Sequence, residues 1–196
     1  MRHIVRSGAV LVLLAALVGG CAGGRPGGDG SRLGSAGPAA SSAGAEENLK
    51  ALGWELPPAG QPIGAYVPAV RTGNLLFVSG QLPMRRGQLT STGRVGDTVT
   101  VEEAQEAMRL AALNALAIVR AELGSLNRVR RVVRLVGHVA SVPTFGGQPA
   151  VTNAASEVFL KVFGPERGSH ARLALGAAAL PRNSSVELEV ILEIQP

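Results

Sequence analysis

Apolar and polar positions from residue 46 onward follow two different periods. "TVEEAQEAMRLAALNALAIVRAELGS", residues 100–125, repeats at helical spacing, opens with a capping box of Thr100 and Glu103, and reaches a natural stop at Gly124. The spacing predicts a helix over 101–123. It is apolar on more than one face, with Glu102, Glu106 and Arg109 on the wetter side, so its back is expected to meet a second subunit. Residues 186–194 instead alternate Val186, Leu188 and Val190 against Glu187 and Glu189, the period of a half-buried strand. "NRVRRVVRLVGHVASVP" predicts a long Val-rich strand, and "AYVPAVRTGNLLFVSGQLP" predicts two strands joined at an "RTGN" turn. A short helix ends at Gly53, with Trp54 and Leu56 anchoring the segment beyond it. A second long helix over 149–163 stops at Gly164, and a further strand covers 171–178. The order strand–strand–helix–strand–helix–strand–strand defines an α+β fold, a mixed sheet with two helices on one face.

Residues 1–45 have a different pattern. "MRHIVRSGAVLVLLAALVGGCAGG" places Arg2 and Arg6 ahead of an apolar run, then small residues and Cys21. This is the layout of a secretory signal, too short for a spanning helix. "LVGGC" resembles a bacterial lipobox, with Val18 where leucine is commonest. The expectation is a lipoprotein signal peptide over 1–20, lipid on Cys21, and an extracytoplasmic, membrane-anchored protein; a start codon placed too early would make it cytoplasmic instead. Residues 21–45, rich in Gly, Ala, Ser and Pro, read as a flexible tether to the domain at 46–196.

Charge and composition narrow the chemistry. The 196-residue chain carries a formal charge of +5, and removing residues 1–20 takes away Arg2 and Arg6 and leaves +3. All basic residues but Lys50 and Lys161 are arginine, and they are scattered. With aromatics at 3%, few rings exist to stack bases, so no nucleic-acid partner is expected. The single cysteine allows no disulfide within the chain. The three histidines (His3, His138, His170) are isolated, no zinc motif occurs, and no Gly-rich loop is followed by Lys-Ser/Thr, so neither metal nor cofactor is expected.

One residue stands out against its neighbours. In "GSHARLALGAAALPRNSSVELEV" the stretch around Arg172 reads as core strand, yet arginine is rarely buried without a partner. Its fork of donors suits a carboxylate or phosphate held bidentately. The partner is either internal, Glu187 or Glu189, or a ligand.

Three stretches in order, "GAYVPAVRTGNLLFVSGQLP", "VTNAASEVF" and "ARLALGAAALPRNSSVELEV", resemble the RidA/YjgF reactive-intermediate deaminases, a family also labelled endoribonuclease L-PSP. The "HAR" and "LGWELPPAGQPIGAYVPAVRTG" details are similar to its L-PSP/chorismate-mutase-like subgroup. The resemblance implies a chorismate-mutase-like fold, a homotrimer with clefts between subunits, and hydrolysis of 2-imino or enamino acids to 2-keto acids and ammonia. It implies that Arg172 clamps a substrate carboxylate, that Glu187 lies near the attacking water, and that Tyr66, Ser79 and Gly80 of the "SGQ" turn, and Asn153 line the cleft. His170 beside the arginine is a further candidate for substrate contact, as a group able to move protons near neutral pH. Two positions depart from the deaminases: Ala174 replaces a frequent cysteine, and Leu173 stands where a small or hydroxyl residue is frequent.

An imine carbon is already electrophilic, so the reaction needs a positioned water, a fixed carboxylate and proton transfers, and no cofactor. The competing reading is a non-catalytic trimer that binds small carboxylates through Arg172. The ribonuclease implied by the older label finds no base-stacking surface and no acid–base pair in this chain. Export adds a difficulty, since reactive imines arise mainly in the cytosol.

Overall fold

In the computed structural model, which describes residues 44–196, the chain runs through α1 (Ala45–Ala51), the hairpin β1 (Ala69–Thr72) and β2 (Leu75–Gln81), and a small ribbon of β3 (Met84–Arg85) and β4 (Gln88–Leu89). Then come α2 (Val101–Leu123), β5 (Val129–Ala140), α3 (Gln148–Gly168), β6 (Ala171–Ala177) and β7 (Val186–Ile194). The expected signal peptide, Cys21 and nearly all of the tether lie outside the described residues. Among the described residues, no helix is long and apolar enough to cross a membrane.

Five strands form one sheet in the order β1-β2-β7-β5-β6, with β5 and β6 parallel and every other pair antiparallel. The sheet is mixed, as the pattern predicts. Val186, Leu188, Val190, Leu192 and Ile194 of β7 are buried beneath the helices, and the glutamates between them point to the other face. α2 packs on β7 and β2, α3 packs on β5 and β6, and the two helices lie side by side. α1 is a third helix, set against α3. Glu46 fixes it, accepting from the Leu126 N–H at 2.8 Å and pairing with Arg120 at 3.0 Å.

The capping box at Thr100 and Glu103 is present in both directions, and Gly124 ends α2 in the left-handed region. The subunit contact expected on the back of α2 is not needed to explain its composition. Ala104, Met108, Ala111, Ala115, Leu116 and Val119 are all buried within one chain, because α3 covers one flank while the sheet covers the other. Each fully buried Leu or Met side chain there stabilises the fold by about 1.5–3 kcal/mol.

The long helix of α3 stops at Gly164 (φ 75°, ψ 170°), as expected, and a separate turn through Pro165 follows it. Two further elements differ from expectation. The β3–β4 ribbon, with Arg86 and Gly87 at its tip, has no counterpart in the expected order. β6 is an exposed edge strand rather than a core strand.

The sheet face turned away from the helices carries Val70, Phe77, Leu173 and Leu175, between 40% and 53% exposed. Their register partners identify the shared face: Val70 lies beside Phe77, Phe77 beside Ile191, and Leu175 beside His138.

Candidate functional site

Glu187 is placed by the alternation of β7. Val186 and Leu188 point into the core, so Glu187 emerges on the opposite face, beside His138 of β5. It is half-buried, and that desolvation raises its pKa above the ordinary 4.5, against a lowering by the nearby His138 charge and with a smaller raising contribution from Glu189. Among the described residues Glu187 takes part in no ion pair; His138 pairs with Glu189 instead, at 2.9 Å.

The carboxylate lies over the backbone of Gly80. Strand β2 loses its register with β7 between Val78 and Gln81, and this irregularity brings Gly80 under Glu187. A Cβ at Gly80 would overlap Glu187 Oε1 and lie 2.8 Å from its Cδ, so the close approach requires glycine. The next turn is held by Asn114 of α2, whose side-chain amide donates to the carbonyls of Leu82 (2.9 Å) and Met84 (3.1 Å). Ser79 donates its hydroxyl to the Val67 carbonyl at 2.9 Å, tying the "SGQ" turn to the segment that carries Tyr66.

These residues floor a cavity of about 810 Å³ lined by Gly80, Glu187, Asn114 and Tyr66 and walled by the proline-rich segment 57–63. The Tyr66 ring is 46% exposed, and its hydroxyl accepts from the Ile63 N–H at 3.3 Å. Tyr66 is therefore a cavity-wall residue, not a core residue. Ser79 stands beside the cavity rather than on its lining.

Arg172, Asn153 and His170 form a separate group. Arg172 pairs in register with Leu135, so its side chain leaves β6 on the helix face, where Nη1 donates to Asn153 Oδ1 (2.6 Å) and Ser156 Oγ (3.1 Å) of α3. His170 approaches the Gly168 carbonyl through Nδ1 at 2.6 Å and Ser156 Oγ through Nε2 at 3.0 Å. The pattern closes if His170 Nδ1–H donates to Gly168, Ser156 O–H donates to Nε2, and Arg172 donates to Ser156 Oγ. Ser156, which no motif in the sequence singles out, is the hinge of that chain.

Arg172 makes no ion pair with Glu187 or Glu189, so neither glutamate is its partner within the chain. It is also exposed rather than surrounded by apolar neighbours. Glu187 lies level with His138 and Leu175, whereas Arg172 lies level with Leu135. Guanidinium and carboxylate are thus two strands and three residues apart, on opposite faces. One chain holds a carboxylate half-site and an arginine half-site, and does not join them. Among the described residues, no group of three or more His, Cys, Asp or Glu could hold a metal ion.

Sheet order, helix placement and the glycine-floored carboxylate cavity define a chorismate-mutase-like α+β protein. The chain belongs to the YjgF/RidA family: residues 46–194 match the family model described as "YjgF/chorismate_mutase-like, putative endoribonuclease". Over 147 residues it is 45% identical to Protein TCP17 of Trypanosoma cruzi, covering 75% of this chain and 92% of that one. It is 34% identical over 140 residues to the 2-iminobutanoate/2-iminopropanoate deaminase of Dermatophagoides farinae, covering 71% and 93% respectively. The crystal structure of Atu1372 from Agrobacterium tumefaciens, a protein of unknown function, matches with a TM-score of 0.71 at 51% identity, covering 77% of this chain and 92% of that one.

Proposed function

We propose that this protein hydrolyses reactive enamine and imine intermediates, converting 2-imino acids to 2-keto acids and ammonia in a cleft between the subunits of a homotrimer. The observation that carries the reading is the division of the site: a half-buried carboxylate faces an open cavity, and a guanidinium without an ion-pair partner among the described residues stands on an exposed edge strand. A neighbouring subunit supplies what each half lacks. The exposed apolar pairs Val70–Phe77 and Leu173–Leu175, one toward each edge of the same sheet face, support such packing, since exposed apolar patches mark contacts. The deaminase name of the mite relative supports the reaction class.

In this reading Arg172 of one subunit grips the substrate carboxylate bidentately, with Asn153 and the Ser156–His170 chain holding its fork. Gly80 and Tyr66 shape the opposite wall, and Ser79 holds the turn behind it through the Val67 carbonyl. Glu187 takes a proton from a water as the water oxygen bonds to C2, and passes it to the nitrogen as the C=N π electrons move there. Glu187 then takes the hydroxyl proton of the carbinolamine as the C=O bond forms and the C–N bond breaks, and gives that proton to the departing nitrogen. Water and imino acid are consumed, keto acid and ammonia appear, and no cofactor enters. A carboxyl whose pKa is raised by burial holds a proton longer on this path than an exposed one. Leu173 and Ala174 beside Arg172 leave the arginine region more apolar than a hydroxyl or cysteine would.

The deciding experiment is ammonia release by the purified protein from enzymatically generated 2-imino acids. Release that Arg172→Ala and Glu187→Gln both remove supports hydrolysis. Keto-acid binding without any release, indifferent to Glu187→Gln, leaves the trimeric carboxylate receptor. Cleavage of RNA at a comparable rate would restore the older label.

Location belongs to the same proposal. We infer that residues 1–20 are a lipoprotein signal and that a lipid on Cys21 anchors the domain outside the cytoplasm. Cys21→Ser should release the protein from the membrane fraction or leave its precursor uncleaved. Identical soluble, cytosolic fractionation of both forms overturns it.

A further inference from the structure

Resting on the reading of the cavity as the substrate site, we propose that Arg182 and Arg86 form a second anion-binding position there, which selects substrates bearing a side-chain carboxylate in addition to the one at C1. The charged residues lining the cavity are Glu187, Arg86 and Arg182. Neither arginine forms an ion pair among the described residues, and the only polar contact of Arg182 there is a 3.9 Å approach of Nη1 to Met84 Sδ. Two arginines therefore line the cavity from different loops, opposed by one carboxylate whose ionisation is itself disfavoured by burial.

The backbone points the same way independently. Three non-glycine residues in the described part of the chain have positive φ, and two of them are these arginines: Arg86 at 52° and Arg182 at 55°. Arg86 precedes Gly87 in the two-residue turn of the β3–β4 ribbon, where asparagine or glycine is the ordinary choice. Arg182 precedes Asn183, also left-handed at 59°, in the turn ahead of β7. Any side chain with a Cβ is disfavoured in that region. Strained positions of this kind cluster where a site needs a particular side chain. Two arginines held this way and converging on one cavity mark a site for an anion.

Size agrees. A volume of about 810 Å³ lies high in the range of roughly 300–1,000 Å³ typical of sites for much larger ligands. A three- or four-carbon imino acid leaves most of it unfilled, while a longer acid reaching from the C1 clamp toward the loop arginines uses it.

The test is calorimetric titration with 2-oxoglutarate and 2-oxobutanoate, products with and without the second carboxylate. The intact protein should bind 2-oxoglutarate at least about tenfold more tightly, the effect of a charge-assisted contact. The double variant Arg86→Gly/Arg182→Gly should lose that preference while its affinity for 2-oxobutanoate stays within about threefold, and Arg182→Lys should keep part of it. Glycine suits both backbone positions, so the double variant should melt no lower than the parent. Equal affinity for the two acids in the parent, or a preference that survives in the double variant, overturns the proposal. Absence of ammonia release from every imino acid, with the Arg-dependent preference intact, overturns the hydrolase reading and leaves this one standing.

Discussion

Gly80→Ala tests the contact on which the candidate site is built. The new Cβ would overlap Glu187 Oε1 and come within 2.8 Å of Cδ and 3.1 Å of Cγ. Every obstructing atom belongs to the outer part of one side chain, so the backbone can stay and the carboxylate must turn away. Forcing a side chain off its rotamer costs about 0.5–1.5 kcal/mol. In a chain of this size each kcal/mol lowers the melting temperature by about 2–4 °C, so a fall of roughly 1–6 °C is expected. The effect on turnover should be larger, because misplacing a reacting group by about 1 Å costs roughly 100-fold in rate. Ammonia release from a 2-imino acid should drop by about that factor while 2-keto-acid affinity, which the proposed mechanism assigns to Arg172, changes less than about threefold. Placed on a Glu187→Gln background, Gly80→Ala should produce no further loss of rate. Full activity in Gly80→Ala, or an equal additional loss without the carboxylate, would refute the assignment of Glu187.

Arg172→Ala should lower stability by less than about 1 kcal/mol, since its partners Asn153 and Ser156 can turn to water, yet weaken keto-acid binding by roughly 10- to 150-fold, the equivalent of a charge-assisted bond of about 1.5–3 kcal/mol; a sharp drop in melting with unchanged affinity would make it purely structural. Because the folded-state pKa of Glu187 is raised, the folded protein holds that proton more tightly than the unfolded chain does, and the parent should lose stability relative to Glu187→Gln as pH rises from 4.5 through the folded pKa. Parallel stability curves in urea titrations across that window would contradict the effect of burial. Leu175→Asp, at a position 41% exposed in the single chain, should leave the fold intact and reduce a trimer to monomers in light scattering; a monomeric parent would dispose of the intersubunit cleft.

Much of this architecture is legible in residue order because local signals agree with their surroundings. Thr100, Glu103 and Gly124 bound α2 by hydrogen-bonding rules that act within one turn. The Val/Glu alternation of β7 places Glu187 on the far face by its period alone. The features that residue order hides depend on neighbours or on backbone shape. The Ala, Leu and Gly content of β6 resembles a core strand, and only its edge position in the sheet exposes it. The apolar breadth of α2 suggests another subunit, because residue order does not show that α3 lies alongside. Two-residue strands have no period, so the β3–β4 ribbon leaves no signal. Arg86 and Arg182 are inconspicuous in the sequence because their distinguishing feature is a positive φ, which composition does not encode. The separation of Arg172 from Glu187 arises from strand register, a property of pairing over distance.

The position of β7 has a consequence for how the molecule comes into being. Its N-terminal neighbours are old by the time it is synthesised: Asn74 and Glu193, joined by a side-chain hydrogen bond, are 119 residues apart. Until Val186–Ile194 emerges, the β1–β2 hairpin lacks the partner for its β2 edge, and the parallel β5–β6 pair lacks the partner for its β5 edge. Contacts of such sequence separation make assembly slow, and bare strand edges invite pairing with other chains. A ribosome that stops short of Val186 therefore releases not a smaller domain but two sticky halves waiting for the same missing strand.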